Sequence, residues 1–332
     1  MIAVDANGAD KGPAAVAEGV GRSGLPVLLF GPEPEIRGPA GPRAEIVHAP
    51  ETIKAGEEAV AAVRSKRDAS IVLAAKAVGD GRAEALVSAG STGPTLAAAT
   101  ISVKRLRGVF RPALAVLLPV PGGPVLLLDA GASVEVRPEH LVQFAYMGAC
   151  FMEAVVGVER PRVGLLSVGE ESGKGTPDVL TAHERLAGRD LNFVGNLEGF
   201  DLPSAGADVV VADGFTGNVA LKVLEGTVRE LSREIRSRIG SGALSSVGGL
   251  LIRGRMRGVR DDLDPERVGG AILLGLRKPV VVAHGSFGPV GIEHAVRLAR
   301  RAVDEDMVGR TSAALEGAGV LRSAPAASVA EP

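Results

Sequence analysis

A short run of Val, Leu, Ile or Ala, then a cluster of Gly, Asp, Ser or Thr, then a segment of helical spacing, recurs six times along the chain. The units are IAVDANGADKGP, EALVSAGSTGP, VLLLDAGAS, VGLLSVGEESGKGTP, VVVADGFTGN and VVVAHGSFGP. Each apolar run is too continuous for a strand wetted on one side. The pattern therefore predicts strands buried on both faces of a mostly parallel sheet, in the doubly wound, three-layer α/β class. In such a sheet the loops leaving the carboxyl ends of the strands are expected at one edge. Helix amino ends offer unpaired N–H groups and partial positive charge there, so an anion site is expected at that edge.

After DGFTGN, Leu221, Leu224, Val228, Leu231, Ile235 and Ile239 recur at three- and four-residue spacing, with Arg229, Glu230, Arg233 and Glu234 opposite, which predicts a long amphipathic helix. Thr176-Pro177-Asp178 predicts an N-cap followed by proline at the first helical position, placing Lys174 near the positive end of that helix. No long linker interrupts the alternation. The expected organisation is one α/β unit over residues 1–305, single or built as two intimately joined lobes. A helical segment protrudes at about 240–262, and a disordered tail is expected at 323–332.

Composition narrows the function classes. Aromatic residues make up 3% of the 332-residue chain, with no Trp and one Tyr, so base-stacking platforms are not expected. Lys and Arg number 37 against 39 Asp and Glu, a formal charge of −2, and no long basic run is present; nucleic acid is not an expected partner. The lone Cys150 lies in the apolar run YMGACFMEAV and reads as a buried, inert thiol. The chain enters a strand-like run at MIAVDA without a leader pattern, and no segment holds 18 uninterrupted apolar residues, so the expected location is cytoplasmic.

Familiar phosphate fingerprints fail on their offsets. GSGALS ends in Ser245 where a dinucleotide loop needs its third glycine, and it follows a helix rather than a strand. GEESGKGT carries Gly173-Lys174, but its first glycine is one residue too close for a nucleotide-binding P-loop and Gly175 replaces the metal-binding hydroxyl. His284 stands where HGSFG would need the first glycine of a nucleophile elbow. The five histidines and one cysteine form no closely spaced zinc set, so neither metal nor cofactor is expected. What remains is a series of Gly-rich loops bearing Asp5, Asp10, Ser91, Thr92, Gly93, Asp129, Gly173, Lys174, Asp213, Asn218, Lys222 and His284.

Read in order over roughly residues 1–305, these segments resemble the bacterial phosphate acyltransferases of phospholipid synthesis, the PlsX family. DANGADKGP at 5–13 is similar to the family's DAMGGDxGP, and GSTGP at 90–94 to its GNTGA. RPALAVLLP, LLLDAGAS, LVQFAYMGA, RVGLLSVGEESGKG, DGFTGNVALKVLEG, GGAILLGL and VVAHGS follow in the family's sequence. The chain departs from the pattern at Asn7 for Met, Ala9 for Gly, Ser91 and Ser133 for Asn, Ile272 for Pro, Ala283 for Lys, and Phe287-Gly288 for a polar pair.

The resemblance implies transfer of a fatty acyl group from acyl carrier protein to inorganic phosphate, without a covalent enzyme intermediate. The acyl phosphate would then pass to a glycerol-3-phosphate acyltransferase. On that reading Ser91, Thr92 and Gly93 join Gly173 and Lys174 around phosphate. His284 or Lys222 supplies a proton or hydrogen bond to the carbonyl oxygen or departing sulfur, Asn218 orients the same group, and Asp213 assists. Asp213 as a plain helix cap, with His284 and Asn218 satisfying loop backbone, is the competing reading. Asp5, Asp10 and Asp129 are further site candidates. The segment 244–260, with Leu250, Leu251, Ile252, Arg253, Met256 and Arg257, resembles the family's helical tip; the implied roles are homodimer contact and peripheral attachment at the inner face of the plasma membrane. Its arginines also suit acidic acyl carrier protein. A non-catalytic paralogue and an acyl-coenzyme A:phosphate acyltransferase are the alternatives.

Overall fold

The computed structural model of the chain describes residues 1–54, 56–240, 248, 252–255, 257–258 and 264–322. Leu250, Leu251, Met256 and the 323–332 tail lie outside the described residues. One sheet of eleven strands runs through the molecule. Its strands are β1 (Ile2–Asp5), β2 (Val27–Gly31), β3 (Ala44–His48), β4 (Ala85–Ser88), β5 (Ala113–Leu118), β6 (Val125–Leu128), β7 (Val163–Leu166), β8 (Phe193–Leu197), β9 (Val209–Val211), β10 (Ala271–Leu274) and β11 (Val280–Val282), in the order β3-β2-β1-β4-β11-β10-β5-β6-β9-β7-β8. All six apolar runs of the sequence pattern are strands, and all six are buried along their whole length.

The sheet is parallel on both flanks and antiparallel at its centre. β3, β2, β1, β4 and β11 run one way; β10 is antiparallel to both β11 and β5, and β5 is antiparallel to β6. β6, β9, β7 and β8 are again mutually parallel but point opposite to the first flank. The loops after the six runs therefore leave two opposed carboxyl edges, not the single edge expected from parallel grammar.

The helices explain how both edges serve one site. α1 (Pro13–Ser23), α6 (Pro138–Phe151), α7 (Pro177–Leu186), α9 (Pro289–Asp304) and α10 (Met307–Gly317) cover one face over a continuous core. On the other face α3 (Ala59–Ser65), α4 (Ser70–Gly79) and α5 (Thr92–Ser102) pack over one core, and α8 (Gly214–Gly240) seats Leu221 in another; the short α2 is Glu33–Ile36. The two smaller cores approach each other at Val116 and Ala271, which pair in register across β5 and β10 and are half-buried.

Right-handed β1–α1–β2 and β7–α7–β8 crossovers fix the strand order relative to the faces. Neighbouring strands then rotate by roughly 20 to 25°, so the five steps from β4 to β9 accumulate about 100 to 125°. That rotation tips both carboxyl edges toward the face whose core is split. On that geometry the two sets of loops face each other as the walls of a cleft across the antiparallel centre.

α7 begins as the sequence implies: Thr176 Oγ1 accepts from Val179 N at 3.3 Å and Pro177 opens the helix. α8 is the long amphipathic helix, but its apolar stripe outruns its core. Leu221 is buried, whereas Leu231 is 58% and Val223 63% exposed. Its first turn lies hard against the loop after β6, and a Cβ on Gly217 would come 2.0 Å from Asp129 O. Gly217→Ala is expected to lower stability by about 3 kcal/mol, since neither backbone can yield cheaply. Gly226→Ala on the same helix meets nothing within 4 Å and should be stabilising by about 0.5–1 kcal/mol. Urea denaturation of both variants checks the contrast.

Candidate active site

The first wall is built from the loops after β1, β4 and β11. Asp5 ends β1 fully inside the protein and accepts hydrogen bonds from Ser70 Oγ (2.6 Å), Ser88 Oγ (2.8 Å) and Asn7 N (3.2 Å). Burial pushes its carboxyl up to about 6, against the pull of those donors. Ser88 in turn accepts from Gly90 N at 3.1 Å, so the buried carboxylate, a hydroxyl and the GSTG turn form one chain of contacts. Gly8 and Gly90 are pressed together: a Cβ on Gly8, whose φ is +84°, would stand 2.9 Å from Gly90 Cα. Asp10 N donates to Gly285 O at 2.9 Å, and Ala283 N to Ser88 O at 2.8 Å, bringing the loop after β11 alongside.

α5 opens on this wall. Ser91 is its N-cap residue yet makes no side-chain capping bond, and Thr92 and Gly93 follow. Neither the Ser91 nor the Thr92 hydroxyl is engaged by another described residue, so two hydroxyls and the first-turn N–H groups stay available to an anion. His284 lies beside them on the loop after β11. Its Nδ1 is 2.8 Å from Ser286 Oγ and accepts from Ser286 N at 3.2 Å, which leaves Nε2 uncommitted.

The second wall comes from the loops after β6, β7 and β9. Asp129 is fully buried and accepts four backbone N–H groups, from Leu114, Gly131, Ala132 and Ser133, at 2.6 to 3.1 Å. Burial raises its carboxyl above the ordinary range, and the four donors oppose that rise. It is a loop-former with no free lone pair directed at a substrate. Asp213 caps α8 by accepting from Thr216 N at 2.8 Å and Thr216 Oγ1 at 2.6 Å. Asn218 is exposed one turn on, over Gly131. Lys222 is exposed and pairs with Glu225 at 2.8 Å. Lys174 sits on the loop after β7, whose shape is fixed by Ser167 Oγ donating to Lys174 O (3.0 Å) and Asn196 Nδ2 to Glu171 O (2.8 Å); Gly173 and the Lys174 side chain are exposed.

Ser91, Thr92, Gly93, Asp5, Asp10 and His284 share one wall, while Asp129, Gly173, Lys174, Asp213, Asn218 and Lys222 share the other. β4 and β7 are six positions apart in the sheet, so the GSTG loop and the Lys174 loop leave opposite flanks. His284 likewise belongs with the GSTG turn, four strand positions from β9 and its Asn218 and Lys222. At the helical tip, Ile252, Arg253 and Arg257 are exposed.

Sequence reading missed Ser70, Ser88 and Glu266. Ser88 closes an apolar strand and Ser70 starts α4, 65 residues from the Asp5 it serves; only strand pairing reveals them. Glu266 accepts from Gly288 N at 2.9 Å and steadies the His284 loop. Asn7, a departure from the family pattern, is buried and donates to Ala49 O and Ser70 Oγ, each at 3.0 Å. Ala283 is 2% exposed within the main core, and Phe287 is buried there too.

Residues 1–310 match the family described as "Fatty acid synthesis protein". The chain is 44% identical to a phosphate acyltransferase of Geobacillus sp. (strain WCH70), over 95% of this chain and 98% of that one. It is 43% identical to a phosphate acyltransferase of Streptococcus sanguinis, over 93% and 96%. Among solved structures, a phosphotransacetylase from Streptococcus pyogenes superposes with a TM-score of 0.58 at 17% identity, covering 92% of this chain and 94% of that one. A branched-chain phosphotransacylase from Enterococcus faecalis gives 0.55 at 16%, covering 91% and 99%. These two likenesses show the fold.

Asp5 has a testable titration. Its folded pKa of about 6 lies above the ordinary aspartate value of 3.8, so the stability it contributes is complete below pH ~4 and is lost as pH rises through ~6. Asp5→Asn removes that dependence. From pH 5 to pH 7 its stability should improve relative to the parent by about 1 kcal/mol, measured as the difference between urea midpoints at the two pH values.

Proposed function

The chain belongs to the phosphate acyltransferase family, enzymes that transfer an acyl group to phosphate in phospholipid synthesis, and we propose that its donor is a long-chain thioester of acyl carrier protein. The observation that carries the site assignment is the uncapped amino end of α5 facing the cleft, with the Ser91 and Thr92 hydroxyls and the first-turn N–H groups unoccupied. Phosphate binds there: a preorganised dipole site offsets the desolvation of the anion and orients one oxygen toward the cleft.

The thioester lies across the cleft, between two walls whose strands β4 and β9 are five positions apart, about 24 Å along the sheet. That span suits an extended donor rather than a compact one. A phosphate oxygen attacks the thioester carbonyl carbon, the carbon–sulfur bond breaks, and the thiolate leaves with the carrier. His284 Nε2, on the phosphate wall, is the group placed to donate a hydrogen bond or proton as charge moves from the carbonyl oxygen to sulfur. Asn218 orients the donor from the opposite wall. Lys174, exposed on its loop, offers a cationic contact to an acidic carrier, while Lys222 is paired with Glu225.

The enzyme acts as a homodimer at the inner face of the membrane. Supporting this reading are the exposed apolar side chains of α8 beyond Leu224, among them Leu231 and Ile235, and the exposed Ile252, Arg253 and Arg257. Among the described residues no helix is long and apolar enough to cross a membrane.

Purified enzyme given long-chain acyl-acyl carrier protein and inorganic phosphate should form acyl phosphate, trapped as hydroxamate with hydroxylamine. Thr92→Val with Ser91→Ala should raise the phosphate KM at least tenfold with a smaller change in kcat, whereas Lys174→Ala should raise the KM for acyl carrier protein and leave that for phosphate unchanged. A phosphate effect confined to Lys174→Ala would overturn the wall assignment, and carrier binding without product would identify a non-catalytic paralogue.

A further inference from the structure

Away from the cleft, on the rear face, a cavity of about 850 Å³ opens between α6, α10 and the loops that flank β7 and precede β8. Tyr146 and Cys150, one helical turn apart on α6, form its floor, and Ala314 and Gly317 of α10 form part of a wall that no large side chain fills. A Cβ added to Gly317 would meet nothing within 4 Å. Tyr146 is 7% exposed, yet its hydroxyl makes no hydrogen bond with a described residue and is not among atoms sealed from solvent. It therefore opens into the cavity.

Three guanidinium groups, of Arg160, Arg189 and Arg310, stand around this opening with the carboxylates of Glu153 and Asp190. Among the described residues none of the three arginines is within ion-pair distance of a carboxylate; Arg189 instead donates to Ala318 O at 2.9 Å. An apolar, small-residue interior, a hydroxyl that opens into it without a protein partner and a cationic rim define a ligand with an apolar body and an anionic end. Tyr146 is the sole aromatic residue of the lining, which offers little to a nucleobase.

We propose that this cavity binds a single-chain amphiphilic anion, an alkyl chain ending in a carboxylate or phosphate, separately from the catalytic cleft. The proposal does not depend on the reaction assigned above. Arg160 and Arg310 attract the head group, the Tyr146 hydroxyl hydrogen-bonds within the cavity, and the chain displaces water from the alanine and glycine wall.

The test uses the full-length protein and the fluorescent fatty acid cis-parinarate. Saturable binding, at one site that palmitate or hexadecyl phosphate displaces and hexadecanol does not, is expected. Displacement by palmitate alone assigns a carboxylate head, and by hexadecyl phosphate alone a phosphate head. Arg160→Ala with Arg310→Ala should weaken binding at least tenfold, and Gly317→Leu, which grows into open space, should weaken it without loss of fold by circular dichroism. Palmitate should also slow labelling of Cys150 by N-ethylmaleimide. Parinarate binding unchanged in both variants, competition by hexadecanol equal to that by palmitate, or Cys150 labelling indifferent to palmitate would each overturn the proposal.

Discussion

The antiparallel pairing of β5 with β10 and β6 governs the molecule. Two parallel flanks that ran the same way would present their carboxyl edges side by side, and twist would then turn the outer loops away from one another. Reversal at the centre makes the twist work in the opposite sense, and the accumulated rotation folds both edges toward one face. The pairing is apolar throughout: Ala113, Leu114, Ala115 and Val116 in β5 face Leu274, Leu273, Ile272 and Ala271 in β10.

Each wall is organised around a buried carboxylate that is spent on structure. Asp129 takes the amide groups of its own loop and of β5, and Asp5 takes two serine hydroxyls and one amide. Burying such a group is unfavourable without partners, and satisfying its oxygens with loop N–H and O–H groups fixes the backbone in a single shape. The glycines follow from this closeness: Gly214 and Gly217 lie where α8 backbone touches the loop shaped by Asp129. Exposed groups can then do the chemistry on a rigid support, which is the division of labour between the buried aspartates and Ser91, Thr92 and His284.

Much of the fold was legible because period and punctuation are local. The six apolar runs are strands and the Thr176-Pro177 cap starts α7, while the long helix begins at Gly214, inside DGFTGN rather than after it. Strand direction was not legible, because a run such as ALAVLL reads identically in either orientation and in either register; the antiparallel centre depends on which neighbours it meets. That is why the loops could be named from the sequence while the flank each one leaves could not. Asp213 was correctly offered as a cap because Asp-x-x-Thr carries its meaning within one turn. The Asp5–Ser70–Ser88 contact spans three segments and left no mark in any of them.

The uninterrupted core behind the sheet has a mechanical consequence. A cleft between domains joined by a hinge can change width by bending a few backbone dihedrals, but here both walls stand on one β-sheet backed by one packed layer of α1, α6, α7, α9 and α10. Spreading the walls would shear that layer and break many close contacts at once. The gap is accordingly a fixed gauge, set by strand count, and adaptation to a reactant falls to the reactant's own rotatable bonds.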